Sequence, residues 1–213
     1  NLVIKQSAQA VIDQAARDDA AGLTGTPAQE RLTRSPGGAL TLVALDFVNA
    51  SSIQTQGLDF GLTYEMDIDK ARLRAGARWT YVDRYDIRVA PGAPIASGVG
   101  STNLSTLARS LPRNRGEAWL WWSGGPRDRL GLTAHYVHSY RNDRSGITNT
   151  HIASSTTVDI DYARKIGDGV EMSVGVLNVT DRNPPLAQFA LGYDPVVADP
   201  RGRIVRIDLS RLF

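Results

Sequence analysis

The sequence predicts an all-β fold. About eight antiparallel strands form a segment of a transmembrane β-barrel, and a short helix lies in an N-terminal loop. From residue 39 onwards, apolar and polar residues alternate with a period of two. One face of the clearest strand carries several arginines, which cannot lie unpaired in a protein core. Short and long connections alternate along the chain, which is typical of barrels that cross a membrane.

Composition excludes some functions without defining one. The 213 residues carry a formal net charge of only +2, so charge gives no reason to expect a nucleic-acid partner. Cysteine is absent, which excludes disulfides, thiol catalysis and cysteine-ligated metals. No apolar stretch reaches the roughly 18 residues of a membrane helix. Because the chain starts at Asn1 without a signal-peptide pattern, we expect it to be a fragment or to have lost its N-terminal part.

Residues 1–38 differ in composition from the rest of the chain. The stretch QSAQAVIDQAARDDAAG predicts a short surface helix that ends at Gly22. The weak apolar face of this helix would consist of Ala10, Val11, Ala15 and Ala16. Glycine, proline and threonine follow and predict a loop. We therefore expect residues 1–38 to be an extracellular-type loop with a short helix, and residues 39–213 to be the strands.

The stretch KARLRAGARWTYVDRY shows the strand pattern most clearly. One face is apolar and ends in aromatic residues: Ala71, Leu73, Ala75, Ala77, Trp79 and Tyr81. The other face carries Arg72, Arg74, Gly76, Arg78 and Thr80. Such a strand suits a wall between lipid and a water-filled lumen. The alternation recurs in residues 57–68, 128–141, 156–163, 169–176 and 203–213.

One strand, in LPRNRGEAWLWWS, departs from this alternation. Trp119, Leu120, Trp121 and Trp122 follow one another in it. Such a cluster fits an aromatic girdle at a membrane interface or the middle of an ordinary hydrophobic strand. The sequence leaves both interpretations open.

The connections predict which end of each strand faces the cell exterior. Short turns lie at residues 67–70, 124–128 and 167–169, and long polar connections at residues 86–110, 142–154 and 181–201. Outer-membrane barrels have short periplasmic turns and long extracellular loops, so we expect the long connections to be extracellular. The connection at residues 49–52 should also be extracellular, and its shortness is the one poor fit.

Four segments match motifs of a single known family. They are NASSIQTQGLDFGLTY, SLPRNRGEAWLWW, TTVDIDYARKIGDGVEMSVGVLNVTDRNPPLAQ and ALGYDPVVADPRGRIVRIDLSRLF. In this order they resemble the C-terminal barrel strands of TonB-dependent outer-membrane receptors, over residues 40–213. Residues 1–39 loosely resemble the helix-containing loop that often lies just upstream. Arg211 departs from the family, which has a hydrophobic or aromatic residue there.

The resemblance implies a barrel of about twenty-two strands around a globular plug, of which this chain would hold the last strands and no plug. It implies energy-coupled uptake of a scarce solute, such as a ferric siderophore, cobalamin or an oligosaccharide, across the cell outer membrane. The implied partners are outer-membrane lipid, the TonB complex acting through the missing plug, the small-molecule solute and the barrel-assembly machinery. The assembly signal would lie in the last strand at Ile207, Leu209 and Phe213.

Ligand contacts are expected from arginines at inward positions near the outer ends of strands. These are Arg84, Arg113, Arg115 and Arg141. Guanidinium groups pair well with carboxylate and catecholate oxygens, so an anionic ferric siderophore would suit them. The alternative is that they form lumenal salt bridges with Asp59, Asp86, Glu117 and Asp143.

Signals of catalysis are weak, and we predict no enzyme, no metal and no cofactor. His135 and His138 would lie on opposite faces of a strand, so they cannot share a metal. Asp159 and Asp161 share one face, where we expect them to form ion pairs with lumenal arginines of other strands. No phosphate-binding loop and no nucleophile elbow is present.

Two other protein classes remain as alternatives. A complete small barrel of about eight strands, with a structural or channel role in the outer membrane, fits the strand count. A soluble β-sandwich is the other, and the lumenal arginines and the alternation of connection lengths argue against it.

Overall fold

A computed structural model of the chain describes residues 2–50, 52–88, 94–104, 109–167 and 169–211. The chain divides into two compact units. The first unit comprises Asn1–Gln56, Asp83–Leu111 and Arg141–Thr150. The second unit comprises Gly57–Val82, Pro112–Tyr140 and His151–Phe213.

The predicted N-terminal helix is present in the first unit. Helix α1 spans Ala8–Ala20, and the Ser7 side chain caps it by accepting a hydrogen bond of 3.0 Å from the Ala10 backbone N–H. Val11 and Ala15 are buried, as the apolar face predicts. Gly22 follows the helix with a φ of 72°, a left-handed conformation that glycine adopts without strain. The structure thus confirms a short helix that ends before Gly22.

Short elements complete the N-terminal segment. They are β1 (Leu2–Lys5), α2 (Pro27–Glu30), β2 (Leu32–Arg34), β3 (Leu40–Val43) and β4 (Phe47–Ala50). The alternation that begins at residue 39 does form strands, but β3 pairs with β2 and β4 pairs with β1. The pairing of β2 with β3 closes only a short loop, which costs little chain entropy, whereas β1 and β4 lie at opposite ends of the N-terminal segment. No helix among the described residues is both long and apolar enough to cross a membrane.

Ten further strands follow within the described residues. They are β5 (Ser52–Ile68), β6 (Ala71–Arg88), β7 (Ala96–Ser97), β8 (Asn114–Gly124), β9 (Asp128–Val137), β10 (Tyr140–Arg141), β11 (His151–Ile152), β12 (Ser155–Gly167), β13 (Val170–Leu177) and β14 (Ile204–Arg211). Eight of them form one sheet in the order β14-β13-β12-β9-β8-β6-β5, with β7 paired to β6, while β10 and β11 form a separate ladder. Among the described residues, β5 and β14 are not paired with each other, so the sheet is open. The predicted antiparallel strands are therefore confirmed.

The register sorts side chains onto two faces of this sheet. Leu73 pairs with Trp122 while the next residue, Arg74, pairs with Trp121, so successive pairs alternate between faces. We call one face the apolar face, and it carries Leu73, Leu120, Leu132, Ile160, Val174 and Ile207. We call the other the polar face, and it carries Arg74, Arg78, Glu117, Asp161 and Arg206. On β5, Glu65 lies on the polar face because it pairs with Arg74, and alternation then places Leu62 on the apolar face.

Within the described residues, no second layer covers the apolar face. Leu62 on β5 is 58% exposed and Ile207 on β14 is 71% exposed. Among the described residues, the buried apolar side chains are Ile87, at the end of β6 that pairs with β7, and Val11, Ala15, Tyr140, Ile152 and Ala187, which lie outside the sheet. A soluble β-sandwich buries the inner face of each sheet against the other. This part of the chain is therefore not a sandwich.

Connection lengths alternate as the sequence predicts. Short turns join β5 to β6, β8 to β9 and β12 to β13. The long connections are residues 89–113, 138–154 and 178–203. Because the strands are antiparallel, all short turns lie at one end of the sheet and all long connections at the other. In the predicted loop 86–110, residues 89–93 and 105–108 lie outside the described residues, as does residue 168 in the predicted turn 167–169.

The tryptophan cluster is divided between the two faces. By register, Trp119 and Trp121 lie on the polar face, whereas Leu120 and Trp122 lie on the apolar face. Neither a girdle nor a simple hydrophobic strand therefore describes the whole cluster.

Three indoles lie flat over glycines of the strand next to them. The indole–glycine pairs are Trp79–Gly116, Trp119–Gly76 and Trp121–Gly131, and each is a direct cross-strand pair. A Cβ atom on Gly131 would lie only 2.5 Å from Cζ3 of Trp121. The absent side chain is thus what allows the ring to lie across the neighbouring strand.

Candidate functional site

Ion pairs connect strands on the polar face: two join the neighbouring strands β5 and β6, and two reach across an intervening strand. They are Arg72–Asp67 (2.8 Å), Arg74–Glu65 (3.0 Å), Arg206–Asp161 (3.1 Å) and Arg129–Glu171. All four arginine side chains are more than half exposed. Exposed pairs contribute only about 0–1 kcal/mol each to stability. Their main effect is therefore to balance charge on a face that needs water.

His135 lies between two carboxylates on the same face. Its Nε2 is 3.1 Å from Oδ2 of Asp159, and its Nδ1 is 3.4 Å from Oε2 of Glu117. The other oxygen of Asp159 accepts a hydrogen bond of 2.8 Å from the backbone N–H of Asn178, just after β13. The polar face is thereby linked to the start of the last long connection.

The prediction for the two aspartates is right for one and wrong for the other. Asp161 contacts Arg206 across the strands, as expected. Asp159 instead contacts the imidazole of His135, because β9 places Thr133 directly opposite Asp159 and His135 at the diagonal position. His138 hydrogen-bonds Tyr136 at 2.8 Å, away from His135, as predicted for histidines three residues apart on a strand.

Arg78 differs from the other arginines of the polar face. Its Cζ lies 5.2 Å from the ring centroid of Trp119, a cation–π contact. Glu117 is its cross-strand partner in register, yet the Glu117 carboxylate contacts His135. A recess of about 810 Å³ runs along this face, and Arg78, Trp119 and Trp121 contribute to its lining.

Hydrogen bonds hold the two ends of the last connection, residues 178–203. Asn178 has a φ of 50°, and its side chain both accepts from the Arg182 N–H at 3.0 Å and donates to the Arg182 carbonyl at 2.9 Å. Asp181 accepts a hydrogen bond of 2.8 Å from the Arg203 backbone N–H. The bonds of Asn178 fix the beginning of the connection, and the bond between Asp181 and Arg203 joins its beginning to its end.

A second anchor holds the middle of the last connection. The Tyr140 hydroxyl donates a hydrogen bond of 2.8 Å to Oδ2 of Asp194, and the two residues are only 6% and 2% exposed. Burial, and then the Asp194 carboxylate, raise the pKa of Tyr140, which therefore stays a neutral donor. Ile152 and Ala187 are buried against Tyr140 in one small apolar cluster.

A cavity of about 260 Å³ lies beneath the last connection in the second unit. Its apolar lining includes Val137, Ile152, Leu177, Pro184, Pro185, Val197 and Ile204, and its polar lining includes His135, Asp159, Asn178 and Arg182. Sites for small molecules are typically about 300–1,000 Å³. This cavity therefore has room for one small group of a larger solute.

One charged turn closes the last connection before β14. The Arg201 side chain and its backbone N–H both hydrogen-bond the carboxylate of Asp199. These bonds lower the pKa of Asp199 to about 2. The carboxylate is therefore ionised at neutral pH.

Two of the predicted ligand-binding arginines lie in the second unit. The Arg113 guanidinium lies over Tyr81, with Cζ 5.8 Å from the ring centroid, and donates to the Val82 carbonyl at 3.4 Å. Arg115 lies on the polar face opposite Thr80 and has no carboxylate partner in the part of the chain that the structure describes.

The other two predicted arginines lie in the first unit. Arg84 is half exposed and lies 3.9 Å from the carboxylate of Asp86, as the salt-bridge alternative expects. The backbone of Arg141 bonds Gly100 and Thr102, and its side chain is exposed. Ligand contact by the four arginines stays a prediction.

The expected assembly signal lies partly within the described residues. Ile207 and Leu209 are on the apolar face of β14, and each is 71% exposed. Arg211 shares this face by register, opposite Val170. Phe213 lies outside the described residues.

Solved structures that are similar to this chain include two siderophore receptors. One is a mutant of the ferric enterobactin receptor PfeA from Pseudomonas aeruginosa, with a TM-score of 0.56 and 18% identity, covering 83% of this chain and 24% of that chain. The other is the ferric-catecholate import receptor Fiu from E. coli K12, with a TM-score of 0.48 and 13% identity, covering 85% of this chain and 23% of that chain. No protein-family model and no curated protein matches the chain.

The likeness to PfeA shows the fold of this chain. The described strands superpose on a segment of that receptor with a TM-score of 0.56. The predicted β-barrel segment is therefore confirmed. The chain spans about a quarter of the length of either receptor chain.

Proposed function

We propose that this chain is part of the barrel wall of a TonB-dependent receptor in the cell outer membrane, and that the whole receptor takes up a ferric siderophore. The observation that carries the proposal is the difference between the two faces of the sheet. Large apolar side chains such as Leu62 and Ile207 are uncovered on one face. Ion pairs such as Arg74–Glu65 cover the other.

The two faces are stable in different environments: the apolar face in lipid and the polar face in water. In lipid, an uncovered leucine or isoleucine costs nothing, whereas in water each costs about 1.5–3 kcal/mol relative to its buried state. Half-exposed arginines need the reverse environment, because an unpaired charge in lipid is costly. A barrel wall with a wet lumen provides both.

In this proposal, the long connections are extracellular and bind the solute together with the upper lumen. The TonB complex, acting through the plug of the whole receptor, uses the proton-motive force to open a path. No covalent bond is made or broken, so the site needs no catalytic residue. Outer-membrane lipid contacts the apolar face. Residues 1–38 are one more extracellular-type loop of this receptor.

A ferric siderophore is the solute class that we favour over cobalamin and oligosaccharides. Arg84, Arg113, Arg115 and Arg141 would contact its anionic oxygens, since guanidinium groups bind such oxygens in a planar, two-point geometry. The name of PfeA, a ferric enterobactin receptor, supports the same class.

We also propose that the last strand is read during assembly. Ile207, Leu209 and Phe213 alternate along it, and such a strand can pair by its edge with the barrel-assembly machinery. The exposed apolar positions of Ile207 and Leu209 support this role.

Uptake by cells tests the proposal. The full protein is expressed in Gram-negative cells without other siderophore receptors, and accumulation of iron from ferric enterobactin is measured with and without TonB. We expect uptake that needs both the protein and TonB. Uptake that is unchanged by loss of TonB would exclude this class of receptor, and uptake of cobalamin or an oligosaccharide instead would correct the solute.

The arginine contacts need a separate binding assay. Changing Arg84, Arg113, Arg115 and Arg141 together to alanine should weaken binding of ferric enterobactin by about tenfold or more, the loss of one charge-assisted hydrogen bond or more. Arg201→Ala is the control, because Arg201 already pairs with Asp199. Unchanged affinity in the fourfold variant would remove these arginines from the site and leave the receptor function standing.

A further inference from the structure

We propose that Arg127 and Arg164 bind the phosphate group of a phospholipid in the periplasmic leaflet of the outer membrane. The inference deepens the proposed function and rests on it, because the apolar face of the sheet must lie in lipid for a headgroup to reach these residues. It names the part of the lipid that is recognised and the end of the strands at which recognition occurs.

Charge on the apolar face is confined to one end of the later strands. Among the described residues of β8, β9, β12, β13 and β14, the charged residues on this face are Asp128, Arg164 and Arg211. Asp128 begins β9, Arg211 ends β14, and Arg164 lies three residues before the end of β12. All three therefore lie at the end where short turns join the strands, which the proposed function places in the periplasm.

Aromatic side chains next to these charges lie where lipid headgroups are expected. Trp122 and Tyr162 are on the apolar face, and both pair in register with Leu130 of β9. Trp122 lies two residues before the end of β8, and Tyr162 lies two residues before Arg164. Tryptophan and tyrosine are enriched at the level of the headgroups. An arginine on the lipid side of a barrel costs much less near this level than at the bilayer midplane, so headgroups are within reach of Arg164.

The guanidinium of Arg164 has donors that nothing else uses. Its Nε lies 3.8 Å from Oδ1 of Asp128, which is too far for a hydrogen bond. The same oxygen accepts a hydrogen bond of 2.7 Å from the Tyr162 hydroxyl. The Arg164 side chain is 52% exposed, and it makes no hydrogen bond in the part of the chain that the structure describes. Its N–H groups are thus available for a planar, two-point contact with a phosphate.

Arg127 brings a second positive charge to the same place. It lies in the turn before β9, next to Asp128, and its carbonyl accepts a hydrogen bond of 2.9 Å from the Lys165 backbone N–H. This bond holds the turn against β12, beside Arg164. The Arg127 side chain is exposed, and it has no carboxylate partner among the described residues. Together with Asp128, the two arginines leave one positive charge in excess, which matches the single negative charge of a phosphodiester.

A matched pair of lipids tests this site in the full protein, purified in detergent. The lipids are phosphatidylglycerol, whose headgroup carries a net negative charge, and phosphatidylcholine with the same acyl chains, whose headgroup is neutral overall. Microscale thermophoresis of the labelled protein measures their dissociation constants, with inorganic phosphate as a competitor. We expect phosphatidylglycerol to bind at least about fivefold more tightly, the gain that one basic residue provides near an anionic lipid. Equal binding of the two lipids, or displacement of phosphatidylglycerol by an equal concentration of inorganic phosphate, would overturn the proposal.

Variants locate the binding. Arg164→Gln and Arg127→Gln should each weaken binding of phosphatidylglycerol by about fivefold. Arg129→Gln is the control, because it removes the same charge at the same end of β9 but on the polar face, where Arg129 pairs with Glu171. Equal losses in the three variants would show a general charge effect and refute the site.

Two further measurements separate the site from the folding and the function of the receptor. Heat-modifiable migration in gels shows for each variant that the barrel is still folded. If TonB-dependent uptake is observed but Arg164→Gln binds phosphatidylglycerol like wild type, the site is refuted and the receptor function is not. If wild type prefers phosphatidylglycerol and Arg164→Gln does not, the site stands even where uptake proves independent of TonB.

Discussion

The close contact between Trp121 and Gly131 makes a quantitative prediction. A Cβ atom on Gly131 would lie 2.5 Å from Cζ3, 2.7 Å from Cε3 and 2.8 Å from Cη2 of Trp121. These atoms belong to a rigid ring, so the whole indole must move to admit one methyl group. Overpacking of this kind costs about 1–3 kcal/mol. Replacing glycine by alanine also stabilises by about 0.4–1 kcal/mol through the unfolded chain. We expect Gly131→Ala to lower the free energy of unfolding by about 0–2.6 kcal/mol, the difference of the two effects.

Gly61→Ala is the matched control for this change. Gly61 also lies on the polar face, in β5, and nothing lies within 4 Å of a Cβ atom placed there. The same substitution there should be neutral or stabilising by about 0.4–1 kcal/mol. Urea unfolding of the full protein in lipid vesicles measures both variants.

A double-mutant cycle tests the cause of the loss. If the indole is what the methyl group meets, Gly131→Ala should cost little in a Trp121→Ala background, which gives a coupling energy of about 1 kcal/mol or more. Equal stabilities of the Gly131→Ala and Gly61→Ala variants would refute the reasoning. So would a loss at Gly131 that persists without the indole.

Two further predictions concern the faces and the ends of the sheet. Leu73→Arg should destabilise the folded barrel by about 2–4 kcal/mol in lipid, the cost of an arginine on the lipid side of a barrel, whereas Arg74→Leu should cost less. The reverse order in urea unfolding would mean that the faces are inverted. In the full protein, Ala190→Cys in the last connection should react with an impermeant thiol reagent on intact cells, and Pro126→Cys in a short turn should not. Labelling of Pro126→Cys alone would place the long connections in the periplasm.

The strands were predictable from sequence because their pattern is local. Alternation with a period of two assigned Leu73 and Arg74 to opposite faces, and the register confirms this. The same rule would have placed Trp119 and Trp121 on the polar face, but four large apolar residues in a row obscured the alternation. Their glycine partners depend on the register between strands, which no local pattern reveals.

Other features depended on contacts between distant parts of the chain. Tyr140 and Asp194 are far apart in sequence, and only the folding of the last connection brings them together. Asp159 was assigned to an arginine because its charge suggested one, whereas the register brings His135 to it. The pairing of β3 and β4 was also outside the reach of sequence, since alternation predicts a strand and not its partner.

The hydrogen bonds that hold the last connection affect both the binding of a solute beneath it and the rate at which the solute leaves. Ordering a disordered segment costs about 1–2 kcal/mol of backbone entropy per residue. In residues 178–203, the hydrogen bonds of Asn178, Asp181 and Asp194 already order the backbone, so much of this entropy is lost on folding, before any solute arrives. Binding beneath such a segment needs little further ordering. Opening it, however, requires the buried Tyr140–Asp194 hydrogen bond to break, so we expect the segment to move as one cooperative unit whose opening rate limits escape.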